Sequence, residues 1–265
     1  MTLTALLAQA LTYGPTPVPE AIRRCEQLRD EARRPAEQSA EALRDSATLD
    51  RRFDVALATA LAELHAMQGD FAEARALCAR ARALYDELGL RYARATKAFS
   101  PAAVELLAGE PDAAIDELRW SYEALEAMGE RGVRSTVAAF LAQALVAGGR
   151  YAEAEELSVV SEETAATADV VTQVLWRGAR ASALARRGEV ARAESLAREA
   201  VTKAQTTDFL DLQAGALLRL ADVLQLGERA EEASAAIQAA RDTYERKGNL
   251  VAAEKAEALL TGLTA

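Results

Sequence analysis

The sequence predicts an all-α chain built as a solenoid of stacked helical hairpins, and three observations predict it. Glycine recurs in one turn context at Gly69, Gly109, Gly149, Gly188 and Gly227, with spacings of 40, 40, 39 and 39 residues. A second set of turn residues, Gly89, Gly129, Asp169, Asp208 and Gly248, is spaced 40, 40, 39 and 40. Apolar residues make up 51% of the chain but aromatics only 5%, which favours helices packed through small side chains over sheets of β-branched residues. A unit of this size is a helical hairpin that cannot bury its apolar face alone and must stack on its neighbours. Residues 1–265 therefore read as one continuous array.

The first unit, 1–48, is degenerate. Leu3, Leu6, Leu7 and Leu11 place an apolar stripe on a first helix with no earlier unit to stack on. That predicts contact with another protein surface, either upstream domains or a second copy of the chain in a homodimer. TPVPEAIRRCEQLRDEA reads as a second helix with Ala21 in the small position. From Thr16, which takes the place of the turn glycine, to Gly69 is 53 residues, 13 more than the 40-residue period. The surplus is assigned to an insertion near 36–48, as a short extra helix or as an excursion.

Five hairpins follow over 49–248. Their turns read GDFAEA, GEPDAA, GRYAEA and GEVARA, with glycine suited to the left-handed residue that ends a helix and Pro111 to a first turn. The fifth, GERAEEA, is one residue longer, so Glu228 takes the place of glycine and Ala233 falls in register. Each second helix carries small residues seven positions apart: Ala74 and Ala81, Ala114 and Ser121, Ala154 and Ser161, Ala193 and Ala200, Ala233 and Ala240. Two helical turns separate them, so they lie on one stripe. First helices alternate large and small residues, as in Leu141, Ala142, Leu145 and Leu220, Ala221, Leu224. Pro101 falls inside a helix expected over 92–108, where it either kinks that helix or starts a shorter one capped by Ser100. The segment 249–265 reads as a C-terminal capping helix, with Leu250, Val251, Leu259 and Leu260 inward and Glu254, Lys255 and Glu257 outward.

Composition excludes several functions. A net charge of -10 repels phosphate backbones, so nucleic acid is not an expected partner. No run approaches the roughly 18 apolar residues of a membrane span, and MTLTALLAQALTYG lacks the basic start of a secretory signal, so no membrane partner and a cytoplasmic location are expected. Cys25 and Cys78 form no metal-ligand spacing, and both read as core residues. No phosphate loop or dinucleotide fingerprint occurs, so no cofactor, metal or catalytic residue is assigned. His65, the sole histidine, reads as a core residue after Leu61 and Ala62. Arg177, Arg180, Arg186 and Arg187 read as helix-end charges ahead of an anion site, and Trp120 and Trp176 as packing between units.

The glycine/aromatic/alanine turn, the second small residue and ERKGN at 245–249 resemble the tetratricopeptide repeat (TPR), with a unit of about 40 residues in place of about 34. LHAMQGDFAEARAL, ELRWSYEALEAMGERG, VTQVLWRGARASALARRGE, TDFLDLQAGALLRLADVL and YERKGNLVAA together resemble one family. It is the C-terminal repeat region of bacterial multidomain regulators that join a class III adenylate/guanylate cyclase domain and an AAA-type ATPase to such an array. The likeness covers roughly residues 49–263 and takes in LTYGPTPVPEA at 11–21. The catalytic motifs of that family are absent from this chain.

That resemblance implies a right-handed α-solenoid whose first helices line a concave surface. The inward positions are then Thr59, Glu63, Thr96, Phe99, Thr136, Gln143, Ser182, Arg186, Asp222 and Gln225, with Phe99, Gln143 and Arg186 as the expected contacts. It further implies a non-catalytic protein–protein interaction or regulatory scaffold of a bacterial signalling protein, with a protein or peptide partner or the upstream ATPase and cyclase domains. The alternative is an effector-sensing domain that binds a small molecule or peptide in the groove, as in LuxR-type regulators. A closed pocket between the repeats favours the sensor, and an open, unobstructed groove favours the scaffold.

Overall fold

The computed structural model describes residues 3–32 and 40–264, and among them every regular element is a helix. The helices are α1 (Leu3–Tyr13), α2 (Val18–Ala32), α3 (Ala40–Met67), α4 (Phe71–Glu87), α5 (Arg91–Ala95), α6 (Phe99–Ala108) and α7 (Pro111–Ala127). They continue with α8 (Gly132–Ala147), α9 (Tyr151–Thr164), α10 (Val170–Arg186), α11 (Val190–Ala204), α12 (Leu210–Leu226), α13 (Ala230–Lys247) and α14 (Leu250–Thr264). Consecutive helices pack as hairpins, and the first helices α1, α3, α6, α8, α10 and α12 each touch the next in that series. Of the insertion expected near 36–48, residues 40–48 belong to α3, and residues 36–39 lie outside the described residues.

Local chemistry explains the turns. Gly69, Gly109, Gly149 and Gly188 have φ of +86°, +83°, +72° and +87°, a region that costs an L-residue free energy because Cβ crowds the following carbonyl. In the fifth turn Gly227 is not left-handed, and Glu228 takes φ +58° instead. All ten small residues of the second-helix stripes are buried. Where serine replaces alanine, its hydroxyl finds a carbonyl of the preceding first-helix region: Ser121 donates to Ala95 (2.6 Å) and Ser161 to Ser135 (3.0 Å). Outside, arginines tie successive second helices together, as in Arg82–Glu117 (2.5 Å), Arg119–Glu153 (2.5 Å) and Arg229–Glu194 (2.5 Å). Exposed pairs of this kind contribute little singly.

Pro101 divides the helix expected over 92–108 into α5 and α6. Proline offers no N–H to the carbonyl of Lys97, four residues back, and that carbonyl accepts from the Ser100 N–H instead (3.2 Å). Helix α6 starts two residues before Pro101, with Ala98 at the cap position. Ser100 is thus inside the first turn and buried, and is not the cap.

The two ends of the array meet. The Lys247 side chain, 0% exposed at the end of α13, donates to the carbonyls of Leu11 (3.2 Å), Gly14 (2.7 Å) and Thr16 (3.0 Å) just past α1. Gln68, after α3, donates to the Gly248 carbonyl (2.6 Å). A Cβ on Gly69 would lie 3.6 Å from Val251. Further along α14, Lys255 donates to the last carbonyls of α6, Leu106 (3.1 Å) and Leu107 (2.9 Å). From Lys247 at the end of α13 through α14 the chain therefore passes the C-terminal ends of α1, α3 and α6 in turn.

This crossing corrects two expectations. The amino-terminal stripe is not free: Leu11 is 6% exposed and Leu7 packs beside it on the core that includes α3. Leu6 is exposed, and the side chain of Leu3 lies outside those described. The face of α14 is also rotated from the one expected. Ala252, Ala253 and Ala256 are buried with Leu260 and Leu263 packed alongside, whereas Leu250 and Leu259 point outward at 49% and 48% exposed. The cap sets that rotation. Asn249 accepts from the Ala252 N–H (3.1 Å) and donates to Asp211 on α12 (2.8 Å), so small residues face the crowded interior.

Two substitutions test these assignments. Lys247→Met leaves three carbonyls without their charged donor and is expected to lower unfolding free energy by about 2–4 kcal/mol in urea titrations, with Lys255→Met costing less because its partners stay solvated. Glu228→Gly relieves the left-handed backbone and is expected to raise stability by about 1 kcal/mol in the same titration.

Candidate functional site

Between α1, α3, α4 and the α5–α6 break lies a cavity of about 450 Å³ that is partly open to solvent. Its walls are largely apolar, with Ala8 from α1, Val55 and Ala60 from α3, and Leu90, Ala93 and Phe99 around the break. Polar groups converge from each side: Thr12 and Tyr13, Thr59 and Glu63, Tyr85, and Lys97 with Ser100. Each first helix projects residues four apart on one face, so Thr59 and Glu63 of α3 sit together. The Pro101 break turns Lys97 and Phe99 toward the same space.

Glu63 is 4% exposed. The Tyr13 hydroxyl donates to its Oε1 (3.0 Å), and the Ser100 hydroxyl faces it. Burial pushes the carboxyl up to about 7, while Ser100, the bond from Tyr13 and the Lys97 charge pull the other way. Tyr13 is held well above the ordinary phenol value, by burial first and by the Glu63 charge second. Burial pulls the Lys97 ammonium below the ordinary lysine value, and Glu63 opposes that shift. The Lys97 ammonium lies 5.4 Å over the Phe99 ring, and among the described residues it has no hydrogen-bond or ion-pair acceptor. Phe99 in turn stacks on Phe140 with centroids 5.3 Å apart.

Behind this site the chain closes with further buried polar groups. The Tyr13 ring meets Phe209 at 6.3 Å. Asp211 bonds Asn249, and burial raises its carboxyl above the ordinary value against the pull of Asn249 and Lys247. Burial likewise lowers Lys247, opposed by Asp211 and Glu63.

Of the ten residues assigned to the concave face, Thr59, Glu63 and Phe99 line the cavity. Thr96 bonds the Ala93 carbonyl (3.0 Å) at the α5–α6 break. Thr136, Gln143, Arg186 and Asp222 join neighbouring repeats. Thr136 donates to Asp169 (3.2 Å) and accepts from Thr172 (2.8 Å). Gln143 donates to the Leu175 carbonyl (2.6 Å). Arg186 pairs with Asp222 (2.7 Å) and lies over Tyr151. Ser182 is fully buried with no partner for its hydroxyl, and Gln225 is half-buried. Phe99, Gln143 and Arg186 are thus engaged with three different neighbours.

The remaining candidates take structural places. Arg177, Arg180 and Arg187 pair with Glu199, Glu162 and Glu155. Trp176 is buried beneath Arg177, and Trp120 packs in a core cluster beneath Arg94. His65 is not a full core residue but sits half-buried, with Nδ1 3.7 Å from Asp70. Cys25 is buried and Cys78 half-buried, with burial raising their thiols to about 11 and about 12, so both stay protonated and unreactive. Sequence reasoning missed Tyr13, Tyr85, Lys97 and Ser100. One signal was present: the chain has 27 arginines and 4 lysines, so each lysine marks a place where a compact ammonium differs from a guanidinium.

No protein-family model matches the chain, and no curated protein sequence does. Among solved structures it is similar to the crystal structure of the P58(IPK) TPR domain, at 16% identity over 92% of this chain and 67% of that one, with a TM-score of 0.33. A superposition this loose carries no argument about partners. No described helix is long and apolar enough to cross a membrane.

The buried carboxyl makes a prediction about pH. Because Glu63 binds its proton more tightly in the folded chain than at the ordinary 4.5, the stability it contributes is complete below about 4.5 and is lost as pH rises through about 7. Asp211 shifts in the same direction. Thermal midpoints measured from pH 5 to pH 8 are expected to fall more for the wild type than for Glu63→Gln, whose relative stability should improve toward pH 8.

Proposed function

We propose that this chain is a non-catalytic regulatory module of a bacterial signalling protein that receives a small effector inside its helical array. The observation that carries the reading is the cavity itself. Its volume of about 450 Å³ falls in the range of small-molecule pockets, and its apolar walls with a few convergent polar groups match their usual make-up. Tyr13, Glu63 and Lys97 come from separate elements, so an occupant that touches all three would couple α1, α3 and the α5–α6 break.

A protein segment lying along the concave face has less support. Gln143 and Arg186 already bond adjacent repeats, and α14 crosses the ends of the first helices. On this reading a protein partner is the output of the module and not its ligand: an upstream ATPase or cyclase domain, or a second copy, in the cytoplasm. No residue is assigned a catalytic role, because the ionisable groups in the cavity are bonded to one another or stand alone with no nucleophile beside a base.

Thr59→Trp, which fills the cavity from α3, provides the control for a thermal-shift screen of small metabolites. Compounds that raise the wild-type midpoint by several degrees and leave Thr59→Trp unmoved are expected. A screen without any such difference, together with a captured polypeptide released by substituting Phe99, Gln143 and Arg186, would favour the scaffold instead.

A further inference from the structure

Among the described residues Lys97 is the charged group lining the cavity that makes no hydrogen bond and no ion pair. Lys247 and Lys255, also close to buried surface, are both bonded to backbone carbonyls. Lys97 instead lines the cavity with the Phe99 ring 5.4 Å away and, among the described residues, feels the Glu63 charge without a hydrogen bond or ion pair to it. Partly desolvated ammonium without an acceptor is costly, and an anion that brings its own acceptors offsets that cost. We infer that the cavity binds a small organic carboxylate, its carboxylate on the Lys97 ammonium and its apolar body along Val55, Ala60, Tyr85 and Phe99. This rests on the effector reading above and assigns the chemical class of the effector.

The other ligand classes fit less well. A cation would need Glu63, but that carboxyl already accepts from Tyr13, faces Ser100 and lies 4% exposed behind them. A phosphate carries more charge and more acceptors than one ammonium satisfies. The start of α6 presents fewer donors than most helix starts, because Pro101 has no N–H and the Ser100 N–H is held by the Lys97 carbonyl. A neutral molecule would leave Lys97 as it is. One carboxylate against one ammonium balances the site, and the apolar walls take an aromatic or aliphatic body.

Glu63 adds a second signature. Its carboxyl, pushed up to about 7, is protonated below that pH and leaves Lys97 as the dominant charge in the cavity. The groups that face Glu63 are Tyr13 from α1, Cys78 from α4, Lys97 and Ser100 from the α5–α6 break, Asp211 from α12 and Lys247 from α13. Tyr13 and Cys78 are held neutral by burial, and Lys97 and Lys247 are cationic near neutral pH. Ionisation of Glu63 therefore places a negative charge beside the bound carboxylate, and affinity falls as pH rises through about 7.

The test is calorimetric titration of the full chain with three matched probes, naphthylacetate, naphthylacetamide and naphthylethylamine. Naphthylacetate is expected to bind at least tenfold more tightly than the amide, with the amine weaker still. Lys97→Met should lose that tenfold while keeping the wild-type circular dichroism and melting transition. Lys97→Arg, which keeps the charge should the methionine variant unfold, should recover part of it. Glu63→Gln should bind naphthylacetate with little change between pH 6 and pH 8, where the wild type weakens. Equal affinity for acid and amide, or unchanged affinity in Lys97→Met, overturns the carboxylate assignment and leaves the effector reading standing. Absence of binding by all three probes also overturns it, and the metabolite screen then decides the effector reading separately. Naphthylacetate bound as tightly by Thr59→Trp as by the wild type places the probe outside the cavity and overturns the inference.

Discussion

A single buried ammonium holds the two ends of this array together. An open solenoid is stabilised repeat by repeat, each unit touching only its neighbours. Here Lys247 inserts among three carbonyls at the end of α1, where the helix dipole concentrates partial negative charge and the orphan acceptors of the last turn point. Lysine suits this place because its donors diverge from one compact nitrogen, while the arginine fork is planar. The arrangement spends desolvation energy on Lys247, and Asp211 and Glu63 return part of it through their charge.

That clasp and the cavity are one construction. Helix α1 and the turn after it supply both the carbonyls that surround Lys247 and the Tyr13 that bonds Glu63. With α1 held, Tyr13 is placed against Phe209 on one side and over the cavity on the other. Buried polar groups of this kind are stable only when nearly all of them are satisfied. The network is nearly so: Tyr13, Glu63, Asn249 and Lys247 all have partners, and of Asp211 one oxygen is bonded while the buried Oδ2 has no partner among the described residues. The exception within reach of the cavity is Lys97, and an unsatisfied group beside a cavity differs in kind from one that is merely strained.

Much of the fold was legible because it depends on steric rules with short reach. Left-handed turns demand glycine, and close helix packing demands alanine or serine, so Gly69 to Gly188 and the ten small residues announced themselves by spacing. Even the irregular fifth turn was readable, with Glu228 in the left-handed place. The position of α14 was not readable, because the pattern of Leu250, Val251, Leu259 and Leu260 suits either face and the Asn249 cap decides between them. The same holds for the stripe on α1: an apolar face states that something covers it, and not that α3 and the far end of the same chain do so. Of the candidate site, Thr59, Glu63 and Phe99 were reached by register alone. Lys97 and Tyr13 were not, since the first depends on where Pro101 breaks a helix and the second on a contact across 50 residues.

Closure also changes the order in which such a chain acquires its shape. Hairpins assemble from contacts close in sequence, which form quickly, whereas the bonds from Lys247 span 231 to 236 residues and carry the loop-closure entropy of nearly the whole chain. During synthesis the first hairpin must wait until almost the last helix has left the ribosome before its carbonyls are satisfied. The first hairpin of the array is then the last to be secured.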